Sequence, residues 1–186
     1  MRYDPHTHHR RSIRLQSYDY TQAGVYFITV CAHGHECLFG KVVDDRVQLN
    51  TYGRVVEDEW LRTTVLRTEV ELDYYVVMPN HFHGILCITS ASGRTTRHVP
   101  TARRFGGAVP GSLSTVVGAF KSAVTKRINR VRGTPAFPAW QKDYYERVIR
   151  DDAELHRIRE YIVNNPAQWE FDQENPDRAE RGEWET

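Results

Sequence analysis

The sequence predicts an α+β protein, a ferredoxin-like antiparallel sheet with helices packed on one of its faces. Two observations carry this. First, VELDYYVVM (70–78) and HFHGILCIT (81–89) are apolar, β-branched and aromatic runs joined through a Met-Pro-Asn turn, so they pair antiparallel. Second, the periodicities along the chain give the order strand, hairpin, helix, two strands, helix, short strand, helix.

Taken in order, residues 1–24 read as a polar basic arm. GVYFITVCA (24–32) is a strand, and ECLFGKVV and RVQLN flank Asp44-Asp45 as a hairpin. TYGRVVEDEWLRTTVLR (51–67) spaces Val56 and Trp60 helically and, less regularly, Leu61 and Val65; Thr51 is an acceptable N-cap. The loop 90–111 carries Arg94, Arg97, Arg103 and Arg104 and no carboxylate. A stretch of that length without periodicity is functional or disordered. SLSTVVGAFKSAVTKRINRVR (112–132) is the clearest helix, with Leu113, Val116, Val117, Phe120, Val124, Ile128 and Val131 on one stripe. GTPAFPAW breaks it, because two prolines cannot continue a helix. KDYYERVIR is a short strand, and DDAELHRIREYIVNN (151–165) is a last helix capped by Asp151 or Asp152 and stopped by Pro166. Three regions follow: a basic arm (1–24), a main domain (25–168) holding the flexible basic loop 90–111, and an acidic tail (169–186).

Composition bounds the function. Hydrophobic residues make up 40% and charged residues 26%, the balance of an ordinary globular chain. The net charge of +1 hides segregation. Residues 1–14 hold Arg2, Arg10, Arg11 and Arg14 against Asp4, while residues 170–186 hold seven acids against Arg178 and Arg181. That asymmetry permits a polyanionic partner, although chance charge on solvated loops would look the same. Three cysteines without paired spacing fit a reducing compartment, no run has the length of a membrane span, and the start lacks the apolar core of a signal peptide. A cytoplasmic protein without membrane contact is expected.

The chemistry concentrates in two places. His81 and His83 are two apart on a strand, so both imidazoles project to one side while Phe82 points to the other. Such a pair can hold one metal ion, or be two surface or core histidines. Tyr161 and Asn165 are four apart on a helix and lie on one face, offering a phenol and an amide oxygen. Together the four residues form a coherent set for phosphoryl transfer: a metal polarises a phosphate and a phenol attacks it. Tyr161 can equally pack beside Ile158 and Ile162. Cys87 shares the strand face of the histidines, but it lies about 13 Å beyond His83 along the strand, too far to share one ion. His6, His8 and His9 sit in the polar arm and look incidental.

MPNHFHGIL, WQKDYYERVIR and REYIVNNP, in that order, resemble the REP-associated tyrosine transposases, which are HUH single-tyrosine transposases of the insertion-sequence-200-like group. RRSIRLQSYDYTQAGVYFITVCA and GSLSTVVGAFKSAVTKRIN are similar to this family too, so the resemblance spans roughly residues 10–178. It implies the HUH endonuclease fold, with His81, His83 and Asn165 as ligands of Mg²⁺ or Mn²⁺ and Tyr161 as catalytic nucleophile. The third ligand position is often glutamine in the wider group, so Asn165 keeps the amide with a shorter reach. The implied activity is cleavage and transfer of single-stranded DNA beside a hairpin, through a covalent 5′-phosphotyrosine and a free 3′-hydroxyl.

Tyr145 and Tyr144 are alternative nucleophiles. They are consecutive on an extended segment, so only one of them can face the metal. Arg10, Arg11 and Arg14, with Lys121, Lys126, Arg127 and Arg130 on the long helix, are the candidate DNA-binding cations. The partner expected is single-stranded or hairpin DNA, bound by a monomer or homodimer. The competing functions are a nickase of the replication-initiator or relaxase type and a catalytically inactive hairpin-binding protein.

Overall fold

The computed structural model describes residues 23–89 and 111–178. Arg10, Arg11 and Arg14 and loop residues 90–110 lie outside the described residues. The elements are β1 (Gly24–Cys31), a 3₁₀ turn (His33–His35), β2 (Gly40–Val43), β3 (Arg46–Leu49), α1 (Thr51–Leu66), β4 (Val70–Val77), β5 (His81–Ile88), α2 (Leu113–Arg132), β6 (Tyr145–Ile149), α3 (Asp152–Asn164) and a second 3₁₀ helix (Pro166–Phe171).

Four strands form one antiparallel sheet in the order β4-β5-β1-β6, and β2 and β3 form a separate hairpin. Without that hairpin the chain reads strand, helix, strand, strand, helix, strand, which is the ferredoxin-like order. The expected α+β class is therefore the one found. The β2–β3 turn needs two residues at positive φ, and Asp44 (49°) and Asp45 (58°) supply them.

Period-2 alternation divides the sheet cleanly. Tyr26, Ile28 and Val30 of β1 and Phe82 and Leu86 of β5 face one side and join Trp60 of α1 and Val117, Phe120 and Val124 of α2 in the main core. Gly84 lies on the same side, where a Cβ would come within 2.7 Å of Trp60 Cζ2 and 2.8 Å of the Phe82 ring. The aromatic packing of this face therefore requires a residue without a side chain. The opposite face carries Phe27, Ile85 and Ile149, covered by Ile162 and Ile158 of α3. Arg159 fixes α3 to β4 through two oxygens of Asp73 (2.5–3.2 Å).

Four local expectations are corrected. α3 lies on the other face from α1 and α2, so the helices do not share one side of the sheet. α1 is capped by Asn50, whose extended backbone lets its side-chain oxygen accept from Tyr52 N (2.8 Å) and Gly53 N (3.0 Å), and Thr51 is the first helical residue. Leu61 and Val65 are exposed because they lie off the buried stripe of α1, and Val131 because it falls in the last turn of α2, past the last buried residue, Ile128. Pro166 ends α3 but opens a 3₁₀ helix. α2 matches its expected span, with Ser112 as N-cap and Gly133 as a left-handed C-cap (φ 68°).

Candidate active site

The β1–β5 register places Cys31 opposite His81 and Thr29 opposite His83 at one end of the sheet, on the α3 face. The two imidazole centroids are 4.6 Å apart. Both rings are buried, at 0% and 4% exposure, under α3 and the segment that follows it.

Each ring is held through Nδ1. His81 Nδ1 lies 3.0 Å from Asn80 Oδ1. Asn80 Nδ2 donates to His35 O (3.1 Å) and Glu174 O (2.5 Å), which fixes the orientation of its amide. Asn80 Oδ1 must therefore accept, and His81 carries its proton on Nδ1. Its Nε2, also buried, makes no hydrogen bond among the described residues. His83 Nδ1 meets Thr29 Oγ1 at 2.8 Å, and its Nε2 faces the Tyr161 hydroxyl at 3.2 Å. This is how protein surroundings orient metal-binding histidines: one nitrogen is anchored and the other is aimed.

Electrostatics keep both rings neutral and ready to ligate. Burial pushes His83 well below the ordinary imidazole value, and neighbouring His81 adds to this. Burial also lowers His81, against the opposing pull of Asp172 and Glu174. The helical pairing of Tyr161 and Asn165 brings the Asn165 amide beside both His81 and Tyr161. Asn165 is 2% exposed; its Nδ2 donates to Asp172 Oδ2 at 3.5 Å, and its Oδ1 has no hydrogen-bond partner among the described residues. A buried amide oxygen and a buried imidazole nitrogen, both unsatisfied, are what a divalent ion would satisfy. The donor set of His81, His83 and Asn165 therefore fits a divalent metal ion.

Tyr161 packs edge-on against Phe27 (6.1 Å between centroids) and His83 (5.1 Å), yet stays 43% exposed, so a substrate can reach it. Burial of its inner part, then the Asp172 carboxylate, raises the phenol above its ordinary value, while the Asn165 amide acts in the opposite sense. Tyr145 also lies on the α3 face, edge-on to Phe27 (6.4 Å between centroids), but it aligns with Thr29 of β1, which stands between it and His83 in the register. Tyr144 packs with the main core on the other face, near Lys121.

The α2 cations divide. Lys121 Nζ donates to the carbonyls of Gln141, Lys142 and Asp143 (2.8–3.2 Å), and Arg127 pairs with Glu59 (2.8 Å) and Asp58 (3.0 Å). Both tie the fold together. Lys126 and Arg130 are exposed, on a helix across the sheet from the histidines.

Sequence reasoning missed Asn80, Thr29, Asp172 and Glu174. Asn80 looked like a turn residue, and only the sheet register brings Thr29 to His83. The segment read as an acidic tail from residue 169 packs back over the site: Trp169 lies 6.0 Å from His81, and Glu174 accepts from Asn80.

No protein-family model matches the chain. A Haemophilus influenzae protein, itself uncharacterized, is 38% identical over 177 residues, covering 92% of this chain and 96% of that protein. The chain belongs to the same family as that protein. Among solved structures, a REP-associated tyrosine transposase bound to a REP hairpin matches with a TM-score of 0.50 at 18% identity, covering 81% of this chain and 71% of that one. A candidate transposase from Deinococcus radiodurans matches with a TM-score of 0.45 at 17% identity, over 81% of this chain and 95% of that one. The fold of the first is the fold of this chain.

Proposed function

We propose that the protein is an HUH tyrosine transposase, which cleaves and transfers single-stranded DNA beside a hairpin through a 5′-phosphotyrosine at Tyr161. The observation that carries the reading is the convergence of Tyr161 Oη, 3.2 Å from His83 Nε2, with His81 and Asn165, whose Nε2 and Oδ1 have no hydrogen-bond partner among the described residues. The solved transposase of the same fold holds a REP hairpin, which favours a hairpin substrate here.

His81, His83 and Asn165 would hold the metal, and a bound divalent ion supplies Lewis-acid stabilisation of the scissile phosphate. Tyr161 Oη forms a bond to phosphorus as the bond to the 3′ oxygen breaks. The phenol proton balances the proton gained by the departing 3′-hydroxyl. Burial and Asp172 keep the phenol protonated at neutral pH, so this proton leaves as the Oη–phosphorus bond forms. Asn80 and Thr29 hold the imidazoles, and Asp172 positions the Asn165 amide.

The test is a denaturing-gel assay with labelled single-stranded hairpin DNA from beside the protein's own gene. A Mn²⁺-dependent covalent band that vanishes with chelator and in Tyr161→Phe is expected. Hairpin binding in chelator with no covalent band under any condition would overturn the reading in favour of a binding protein.

A further inference from the structure

Beside the paired histidines stands a second group of ligating side chains that the proposed reaction does not use. We propose that Cys31, His35 and Glu174 form a separate cation site for a borderline-soft divalent ion of the zinc class, which clamps the C-terminal segment onto the end of the sheet. The ligand atoms of the three residues all lie within 4.8 Å of one another. They come from three places: the last residue of β1, the 3₁₀ turn after it, and the segment beyond α3.

The group is built rather than accidental. His35 Nδ1 is 2.8 Å from Glu174 Oε2, and its other nitrogen is 2.6 Å from Gln141 Nε2. Gln141 also donates its backbone N–H to Cys31 O at 2.9 Å, so one residue supports two members of the group. Asn80 Nδ2 grips the backbone carbonyls of the other two, His35 and Glu174. His35 takes a left-handed backbone (φ 56°), which a histidine adopts at a cost and which turns it back toward Glu174.

The carboxylates of Glu174 and Asp172 lie near the Cys31 thiol, so the group carries excess negative charge, with Lys121 the opposing cation. A bound ion supplies the positive charge, and the thiol releases its proton to solvent. Thiolate, imidazole and carboxylate together are a zinc-type donor set, with the fourth tetrahedral position left to water. Mg²⁺ prefers oxygen and would not be drawn by the sulfur. The thiolate is what distinguishes this site from the adjoining histidine pair, which offers no sulfur. If Asn165 is a catalytic ligand, as proposed above, the clamp supports it, because Asp172 lies on the fastened segment and accepts from its amide.

The test uses the full-length protein and Co²⁺ as probe, with Mg²⁺ in excess. One equivalent of Co²⁺ should give a near-ultraviolet sulfur-to-cobalt charge-transfer band, displaced by Zn²⁺. Cys31→Ser should abolish the band. Glu174→Gln, a substitution on a partly exposed side chain, should weaken Co²⁺ binding about tenfold or more. His83→Ala should leave the band intact, which keeps the test independent of the catalytic reading. Zn²⁺ should slow amide exchange over residues 172–178 in the wild type and not in Cys31→Ser, with circular dichroism reporting that the variant is folded. The absence of a charge-transfer band in the wild type, its survival in Cys31→Ser, its loss in His83→Ala, or exchange unchanged by Zn²⁺ would each overturn the proposal.

Discussion

Replacing Asn80 separates the support of the proposed metal ligands from the ligands themselves. Asn80 is fully buried and makes three hydrogen bonds, one to His81 Nδ1 and two to the carbonyls of His35 and Glu174. In Asn80→Ala the buried imidazole N–H is stranded, at a cost of about 2 kcal/mol, and the two carbonyls, nearer the surface, each lose about 0.5 kcal/mol. The sum is about 3 kcal/mol, read as a shift in urea denaturation. The His81 tautomer is released at the same time, so Mn²⁺ affinity should fall roughly 10- to 100-fold by calorimetry. Asn80→Asp keeps an acceptor for His81 but loses both donors. It should retain more of the Mn²⁺ affinity than alanine does, while amides of residues 172–178 exchange faster in both variants. Wild-type Mn²⁺ affinity in Asn80→Ala, with stability changed by less than about 0.5 kcal/mol, would refute the reasoning.

Gly84→Ala should destabilise the fold by about 2 kcal/mol, since its Cβ would overlap the Trp60 and Phe82 rings; an unchanged urea midpoint contradicts that packing. In chelator, stability should fall as pH drops below about 6.5, because the unfolded chain then protonates imidazoles that the fold keeps neutral. His83 should account for a slope approaching about 1.4 kcal/mol per pH unit, seen as the difference between wild type and His83→Gln over pH 6.5 to 5. Equal slopes in the two proteins would sink that claim. Reversing Lys126 and Arg130 should leave the fold intact, whereas Lys121→Glu should lower the melting temperature by freeing the chain before β6; the opposite ranking would show that Lys121 is not a structural tie.

Much of this was legible because short-range periodicity decides it. Alternation placed His81 and His83 on one face, and the four-residue spacing placed Tyr161 with Asn165. The Asp-Asp turn and the α2 stripe from Leu113 to Ile128 were readable for the same reason. What escaped depends on long-range placement. The stripe of α3 shows that Ile158 and Ile162 are buried but not on which face of the sheet. Asn80 and Thr29 acquire roles only through the register of β1 with β5. The tail's excess of carboxylates masked Trp169, Asp172 and Glu174, because composition averages over the few side chains that make contacts. On α2, the helical pattern marked Lys121 and Arg127 as cations without showing that carbonyls and carboxylates already hold them.

The central claim is that Tyr161, rather than Tyr145 or Tyr144, is the nucleophile, and mass spectrometry of the DNA adduct tests it most directly. Trypsin releases Tyr161 in the peptide from Glu160 to Arg178, and Tyr144 and Tyr145 together in the peptide from Asp143 to Arg147. After reaction with single-stranded hairpin DNA and Mn²⁺, followed by nuclease trimming, the account predicts nucleotide mass on the first peptide alone, fragmenting at Tyr161. Nucleotide mass on the second peptide would contradict it.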